Sequence, residues 1–171
     1  FLLETKFEFA KQIVQEAADY ILAHMKEDLQ VERKSSPTDL VTRLDKEVQE
    51  LLVERIKSTY PEDLICAEEG CLRAAVGQGN VWVIDPIDGT NNFVAQKEDF
   101  AVMLAYFENG LGKFGIIYDV MKGDCYHGGG AFPPCRNNEP LPTFKKKPLQ
   151  EFLVAGNSGM FETNEWGLAD L

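Results

Sequence analysis

The hydrophobic pattern of this chain changes period once, at Pro61, and that change fixes most of what it can fold into. Before it, Ala10, Ile13, Val14, Ala17, Ile21, Leu22 and Met25 recur at intervals of three and four, the stripe of an amphipathic helix from about Thr5 to Asp28. Leu44, Val48, Leu51, Leu52 and Ile56 form a second stripe, which Pro61 stops. After Pro61 the apolar residues come in short runs bounded by turn signals. Leu64 to Ala67 and Val81 to Ile84 read as strands, and Phe100 to Phe107 as a strand covered on both faces. Glu108-Asn109-Gly110 and Lys122-Gly123-Asp124 reverse the chain around a further strand, Lys113 to Asp119, so an antiparallel meander is expected. Two helices followed by a mainly antiparallel sheet predict a layered α+β domain.

With 171 residues, the chain can form one domain with a sizeable core and the beginning of a second. The Pro- and Lys-rich stretch from Pro140 to Pro148 predicts the boundary, with a first domain over residues 1–145. Residues 146–171 then begin an incomplete α/β domain, opened by a strand from Phe152 to Ala155. Between the two helices, Lys34-Ser35-Ser36-Pro37-Thr38-Asp39 is polar and rich in breakers, and reads as a mobile loop.

The chain's charge limits its partners. A formal net charge of -11 argues against nucleic acid and anionic membranes, which rely on a positive field, and means that an anionic substrate needs cations to bridge it to the protein. Cys66, Cys71, Cys125 and Cys135 lack the spacing of a zinc site, so a reduced cytosolic setting is expected. Glu4 and Lys6 interrupt the apolar start, so no signal peptide is predicted, and no apolar run approaches membrane-spanning length.

The chemistry concentrates in Asp85-Pro86-Ile87-Asp88-Gly89-Thr90, directly after the run Val81-Trp82-Val83-Ile84. Pro86 lacks an N–H and biases Asp85 toward extended geometry, so the strand is expected to end there with a carboxylate at its tip. Asp85 and Asp88 can converge on one point, where two carboxylates repel unless a cation sits between them. Oxygen ligands alone favour magnesium, manganese or calcium. Gly89 allows close backbone approach, and a helix opened by Thr90-Asn91-Asn92-Phe93 would offer N–H groups to an anion.

Three further segments bear on this site. Glu68-Glu69-Gly70 follows the Leu64 to Ala67 strand; if the two strands are neighbours, Glu68 reaches Asp85 and Asp88 from the side. Asp45, preceded by Asp39, lies in Thr42-x-x-Asp45 ahead of an apolar stripe, and on local evidence alone it reads as a helix cap. His127 beside Gly128-Gly129-Gly130 has no nucleophile to serve as a base near a flexible loop, and reads as a surface or hydrogen-bonded histidine.

Taken together, the segments Lys34 to Thr42, Ala67 to Gly70, Trp82 to Phe93 and Gly128 to Phe132 resemble the inositol monophosphatase family, in order and over nearly the whole chain. The resemblance implies a sugar-phosphatase-type layered fold and a Mg2+-dependent, lithium-sensitive phosphomonoesterase, a cytoplasmic homodimer with two or three ions per site. It assigns Glu68, Asp85, the Ile87 carbonyl and Asp88 as metal ligands. Thr90 would orient the attacking water with Asp45 and Glu68. Gly89 and Thr90 N–H groups would cradle phosphate, and the Lys34 to Asp39 loop would complete a weaker metal position. This raises Asp45 from a cap to a site residue.

The implied substrate is a small phosphorylated metabolite, most simply myo-inositol monophosphate. A 3'-phosphoadenosine nucleotide, a sugar bisphosphate or NADP remain alternatives, as does a non-catalytic metal- or phosphate-binding homologue. The family also carries a later Trp-Asp element that supplies another metal ligand. Here Trp166 is followed by Gly167 and Asp170 stands too far on, so the chain is expected to stop inside the second domain.

Overall fold

The computed structural model describes residues 2–34, 40–70, 72–130, 132–143, 145, 146 and 148. Asp39, the strand expected from Phe152 to Ala155, Trp166 and Asp170 lie outside the described residues. Two compact units are distinguished, Phe1–Leu141 and Pro142–Leu171; all that follows concerns the first.

Helix α1 (Leu2–His24) buries Phe7, Ala10, Ile13, Val14, Ala17, Ala18 and Ile21. It ends short of the expected Asp28: the Gln30 N–H donates to Asp28 Oδ1 and Gln30 has a positive φ of 47°, a turn that still leaves Met25 and Leu29 buried. Strands β1 (Glu32–Arg33) and β2 (Leu40–Val41) pair antiparallel and lead into helix α2 (Arg43–Thr59), which buries Leu44, Val48, Leu52 and Ile56. Both helices pack into one core with the main sheet, as the change of period predicts.

That sheet has seven strands in sequential order. β3 (Leu64–Ala67) runs parallel to β4 (Asn80–Asp88) at one edge. After the short helix α3 (Thr90–Gln96), β5 (Ala101–Glu108), β6 (Leu111–Asp119), β7 (Asp124–Gly129), β8 (Phe132–Arg136) and β9 (Glu139–Pro140) continue as an antiparallel meander. The fold is therefore the α+β layered architecture expected, with β7 to β9 added.

The structure corrects further sequence expectations. β4 does not stop at Asp85 but continues to Asp88, with its register against β5 shifting between those two residues. Pro86 removes a ladder donor without leaving extended geometry, so the strand passes through it as an irregularity. Phe100 to Phe107 is covered fully on one face only: Val102, Leu104 and Tyr106 are buried, whereas Met103, Ala105 and Phe107 are half-exposed.

Nor are Gly128 and Gly130 loop lubricants. A Cβ on Gly128 would lie 2.8 Å from Pro134 Cα, and one on Gly130 would lie 2.3 Å from the Lys113 carbonyl oxygen, so these glycines allow neighbouring backbones to touch. His127 is half-buried and meets Phe7 edge-on at 5.1 Å, and burial lowers its pKa; it is a packing residue.

One buried charge ties α1 to this sheet. Lys6 Nζ donates to Asp63 Oδ2 at 2.5 Å and to the Tyr106 hydroxyl at 2.7 Å, and lies 4.7 and 4.4 Å from the ring centres of Tyr60 and Tyr106. Asp63 also accepts from Trp82 Nε1 at 2.9 Å and Asn80 Nδ2 at 3.0 Å. A buried ion pair is tolerable only when its remaining hydrogen-bonding capacity is filled in this way, and here the filling fixes the start of β4 against α1.

Candidate active site

The parallel register of β3 and β4 puts Ala67 opposite Ile84, so Glu68 and Asp85 come next on adjacent strands. The Glu68 N–H donates to the Ile84 carbonyl at 3.1 Å, holding the two strands together one residue past the end of β3. An apolar hollow of about 440 Å³ adjoins Asp85 and includes Val83, Met103, Ile117 and Tyr126 in its lining. Burial, then a hydrogen bond with Glu68 and the negative fields of Glu68, Asp88 and Asp45, push the Asp85 carboxyl up to about 7. Its Oδ1 is buried and has no hydrogen-bond partner among the described residues.

Asp45 takes part in the capping box and also reaches the β4–α3 junction. Its Oδ2 accepts from the Thr42 N–H at 2.8 Å and the Thr42 hydroxyl at 2.5 Å, while its own N–H donates to Thr42 Oγ1 at 3.4 Å, completing a capping box on α2. Its Oδ1 accepts from the Thr90 hydroxyl at 3.2 Å. One carboxylate thus caps the helix with one oxygen and faces the β4–α3 junction with the other. Burial raises its pKa despite these bonds.

Thr90 Oγ1 also lies 2.9 Å from the Ile87 carbonyl, and a hydroxyl has a single proton to give. If the Ile87 oxygen were engaged by a cation, that proton would be left to Asp45. Gly89, at φ +85°, makes the turn into α3; a Cβ there would sit 3.0 Å from the Asp99 carbonyl oxygen. Phe93 is buried against Phe100, with ring centres 4.8 Å apart, which anchors the short helix.

Lys34 joins this group from the β1–β2 segment. Its ammonium donates to Glu68 Oε1 at 3.0 Å and to Glu69 Oε1. Burial works against the charge, but the hydrogen bonds to Glu69 and Glu68 outweigh it and leave the lysine pKa raised. Glu69 was not singled out by sequence, where it is only the second acid of a doublet; its sole visible signal is its place beside Glu68.

The structure therefore brings together Glu68, Asp85, Asp88, Asp45, Thr90, Ile87, Gly89 and Lys34, leaving only Asp39 outside the described residues. Clustered carboxylates with an unpaired buried oxygen are an oxygen donor set suited to a hard divalent cation. Among the described residues, no three Asp, Glu, His or Cys side chains already converge where an ion would sit. Glu68 is engaged by Lys34, and an incoming cation would have to draw it away.

Comparison with known proteins gives a consistent picture. The model of the inositol monophosphatase family matches residues 2–167. The chain is 43% identical over 155 residues to the inositol-1-monophosphatase of Bacillus subtilis (strain 168), spanning 88% of this chain and 57% of that protein. Among solved structures, inositol monophosphatase II from Staphylococcus aureus superposes with a TM-score of 0.81 at 32% identity, over 92% of this chain and 57% of that one. An IMPase/NADP phosphatase complexed with Mg2+ and phosphate superposes with a TM-score of 0.76 at 27% identity, over 82% and 53%. The chain spans a little over half the length of these relatives.

Proposed function

The chain belongs to the inositol monophosphatase family, and from that premise we propose that it supplies the metal-binding wall of a phosphomonoesterase, with myo-inositol monophosphate as its simplest substrate. The observation that carries this reading is the unpartnered Asp85 Oδ1, buried within reach of the Glu68, Asp88 and Asp45 charges. Leaving such an oxygen without a donor costs free energy that a cation would recover.

In this reading Glu68, Asp85, the Ile87 carbonyl and Asp88 hold Mg2+, two or three ions per site, with Asp39 and the Lys34 segment completing the weakest position. When bound, the ions activate water, stabilise the leaving oxygen and neutralise phosphate charge. The protein's own groups position the reactants. Asp45 accepts through Oδ1, so Asp45 and Thr90, together with Glu68, orient the attacking water and hold its proton. The Gly89 and Thr90 N–H groups face the phosphate; Gly89's positive φ supports this, since it turns the backbone there. A homodimer and a cytoplasmic setting follow from the resemblance, and a division at residues 145 and 146 from the Pro- and Lys-rich stretch; all three belong to the same proposal.

A second substrate reading, NADP or another nucleotide phosphate, is favoured by the relative that is an IMPase/NADP phosphatase. The competing reading from another class, a non-catalytic metal- or phosphate-binding homologue, is favoured by Lys34 already occupying Glu68. Phosphate release by the full-length protein from myo-inositol 1-phosphate, NADP, 3'-phosphoadenosine nucleotides and fructose 1,6-bisphosphate, with and without Mg2+, separates them. We expect Mg2+-dependent release, abolished in Asp88→Asn with the circular dichroism unchanged. Near-normal turnover in that variant overturns the site assignment, and no release from any substrate favours the binding homologue.

A further inference from the structure

Gln49 stands one helical turn after Asp45 on α2, on the same face, and is buried. Its side-chain Nε2 donates to the Glu69 carbonyl at 2.7 Å, and the Glu69 N–H donates to Gln49 Oε1 at 2.8 Å. One amide thus satisfies both backbone groups of a single residue, as a partner residue does in an antiparallel ladder. The assignment of nitrogen and oxygen is unambiguous, because the opposite orientation would set oxygen against oxygen. Among uncharged side chains, donor and acceptor side by side at this reach are peculiar to glutamine and, one methylene shorter, asparagine.

The residue so clasped lies immediately after Glu68, past the end of β3, where the backbone has no further ladder partner from β4 beyond the Glu68 N–H bond to Ile84. We infer that Gln49 is a positioning residue for the Glu68 carboxylate: through two buried hydrogen bonds it fixes the two peptide groups flanking Glu69, the first of them the Glu68–Glu69 peptide, to α2, the helix that also carries Asp45. The inference rests on the reading of Glu68 as a metal ligand. It makes α2 a single rigid arm that sets two of the site's carboxylates relative to one another, Asp45 directly and Glu68 through the clasp. Groups that hold a ligand in place from behind typically change metal affinity by tens of fold when removed.

The test is Mn2+ affinity of the full-length protein, measured by electron paramagnetic resonance without substrate, beside thermal unfolding without metal. Gln49→Met keeps the volume and removes both hydrogen bonds; it should weaken Mn2+ binding about tenfold. Gln49→Asn keeps the amide but falls short, should give a smaller loss, and carries the test if the Met variant does not fold. Ile56→Val trims the core face of the same helix and should leave affinity unchanged. An affinity within twofold of wild type in both Gln49 variants, while Glu68→Gln loses binding, overturns the inference alone. Equal weakening by Ile56→Val also overturns it, since the effect would then be general loosening. If Glu68→Gln binds Mn2+ as wild type does, the ligand reading fails and the role of Gln49 fails with it.

Discussion

Glu68 and Asp85 follow paired positions on two parallel strands, with the Glu68 N–H bonded to the carbonyl of Ile84, so two acidic residues distant in sequence are held side by side. Burial and the neighbouring negative charges favour a proton on Asp85 where the family resemblance places a metal.

The first prediction follows from that proton. Burial, Glu68, and the charges of Asp88 and Asp45 raise the Asp85 pKa from 3.8 to about 7 in the folded protein. Between about pH 4 and pH 7 the folded state therefore binds more protons than the unfolded chain, and stability falls as pH rises. For a partly solvated group we expect this to amount to roughly 1–2 kcal/mol. Thermal unfolding in EDTA across this range should show a slope that is smaller in Asp85→Asn by this amount, and Mg2+ should stabilise the wild type most at the alkaline end. Equal slopes in both proteins would contradict it.

Thr42 is predicted to matter twice. Thr42→Ala removes both hydroxyl bonds to Asp45, which should cost about 1 kcal/mol of stability as a lost helix cap. Freed from the box, Asp45 should also hold Thr90 less well, lowering kcat several-fold with little change in KM. Thr42→Ser keeps the hydroxyl and should restore both quantities. A variant that loses stability but not kcat would leave Asp45 as a cap alone.

Two glycines give a paired test of the sheet. Gly130→Ala forces a Cβ to 2.3 Å from the Lys113 carbonyl at φ +60°, and should destabilise the protein by about 2–3 kcal/mol. Gly115→Ala meets nothing within 4 Å and should be nearly neutral. Chemical denaturation of the two variants measures the difference, and similar midpoints would show that the close approach is not needed.

Much of this was legible in the sequence because the strongest signals are contiguous. The stripe of α2, the four residues of β3, and the string from Asp85 to Thr90 each carry their meaning within a few positions. Other features depend on contacts across the chain. Pro86 punctuates a strand that continues through it, since extended geometry survives the loss of one donor. β8 hides behind Phe132-Pro133-Pro134, a sequence that argues against a strand except near a sheet margin, and among the described residues only the two-residue β9 lies outside it. Gln49 looks like any polar helix residue until residue 69 arrives beside it, and Lys6 like any surface lysine until Asp63 and three aromatic rings surround it. Burial of a polar group is set by tertiary partners, which periodicity does not encode.

The proposed divalent-cation site lies at the end of β4, with Glu68 beside it. Anomalous scattering from crystals of the full-length protein soaked in Mn2+ tests it most directly. A peak is expected bounded by Glu68, Asp85 and the Ile87 carbonyl, with the Glu68–Lys34 pair opened, and it should be lost in Asp85→Asn. A Mn2+ peak only elsewhere on the molecule, or one at this site that survives Asp85→Asn undiminished, would contradict it.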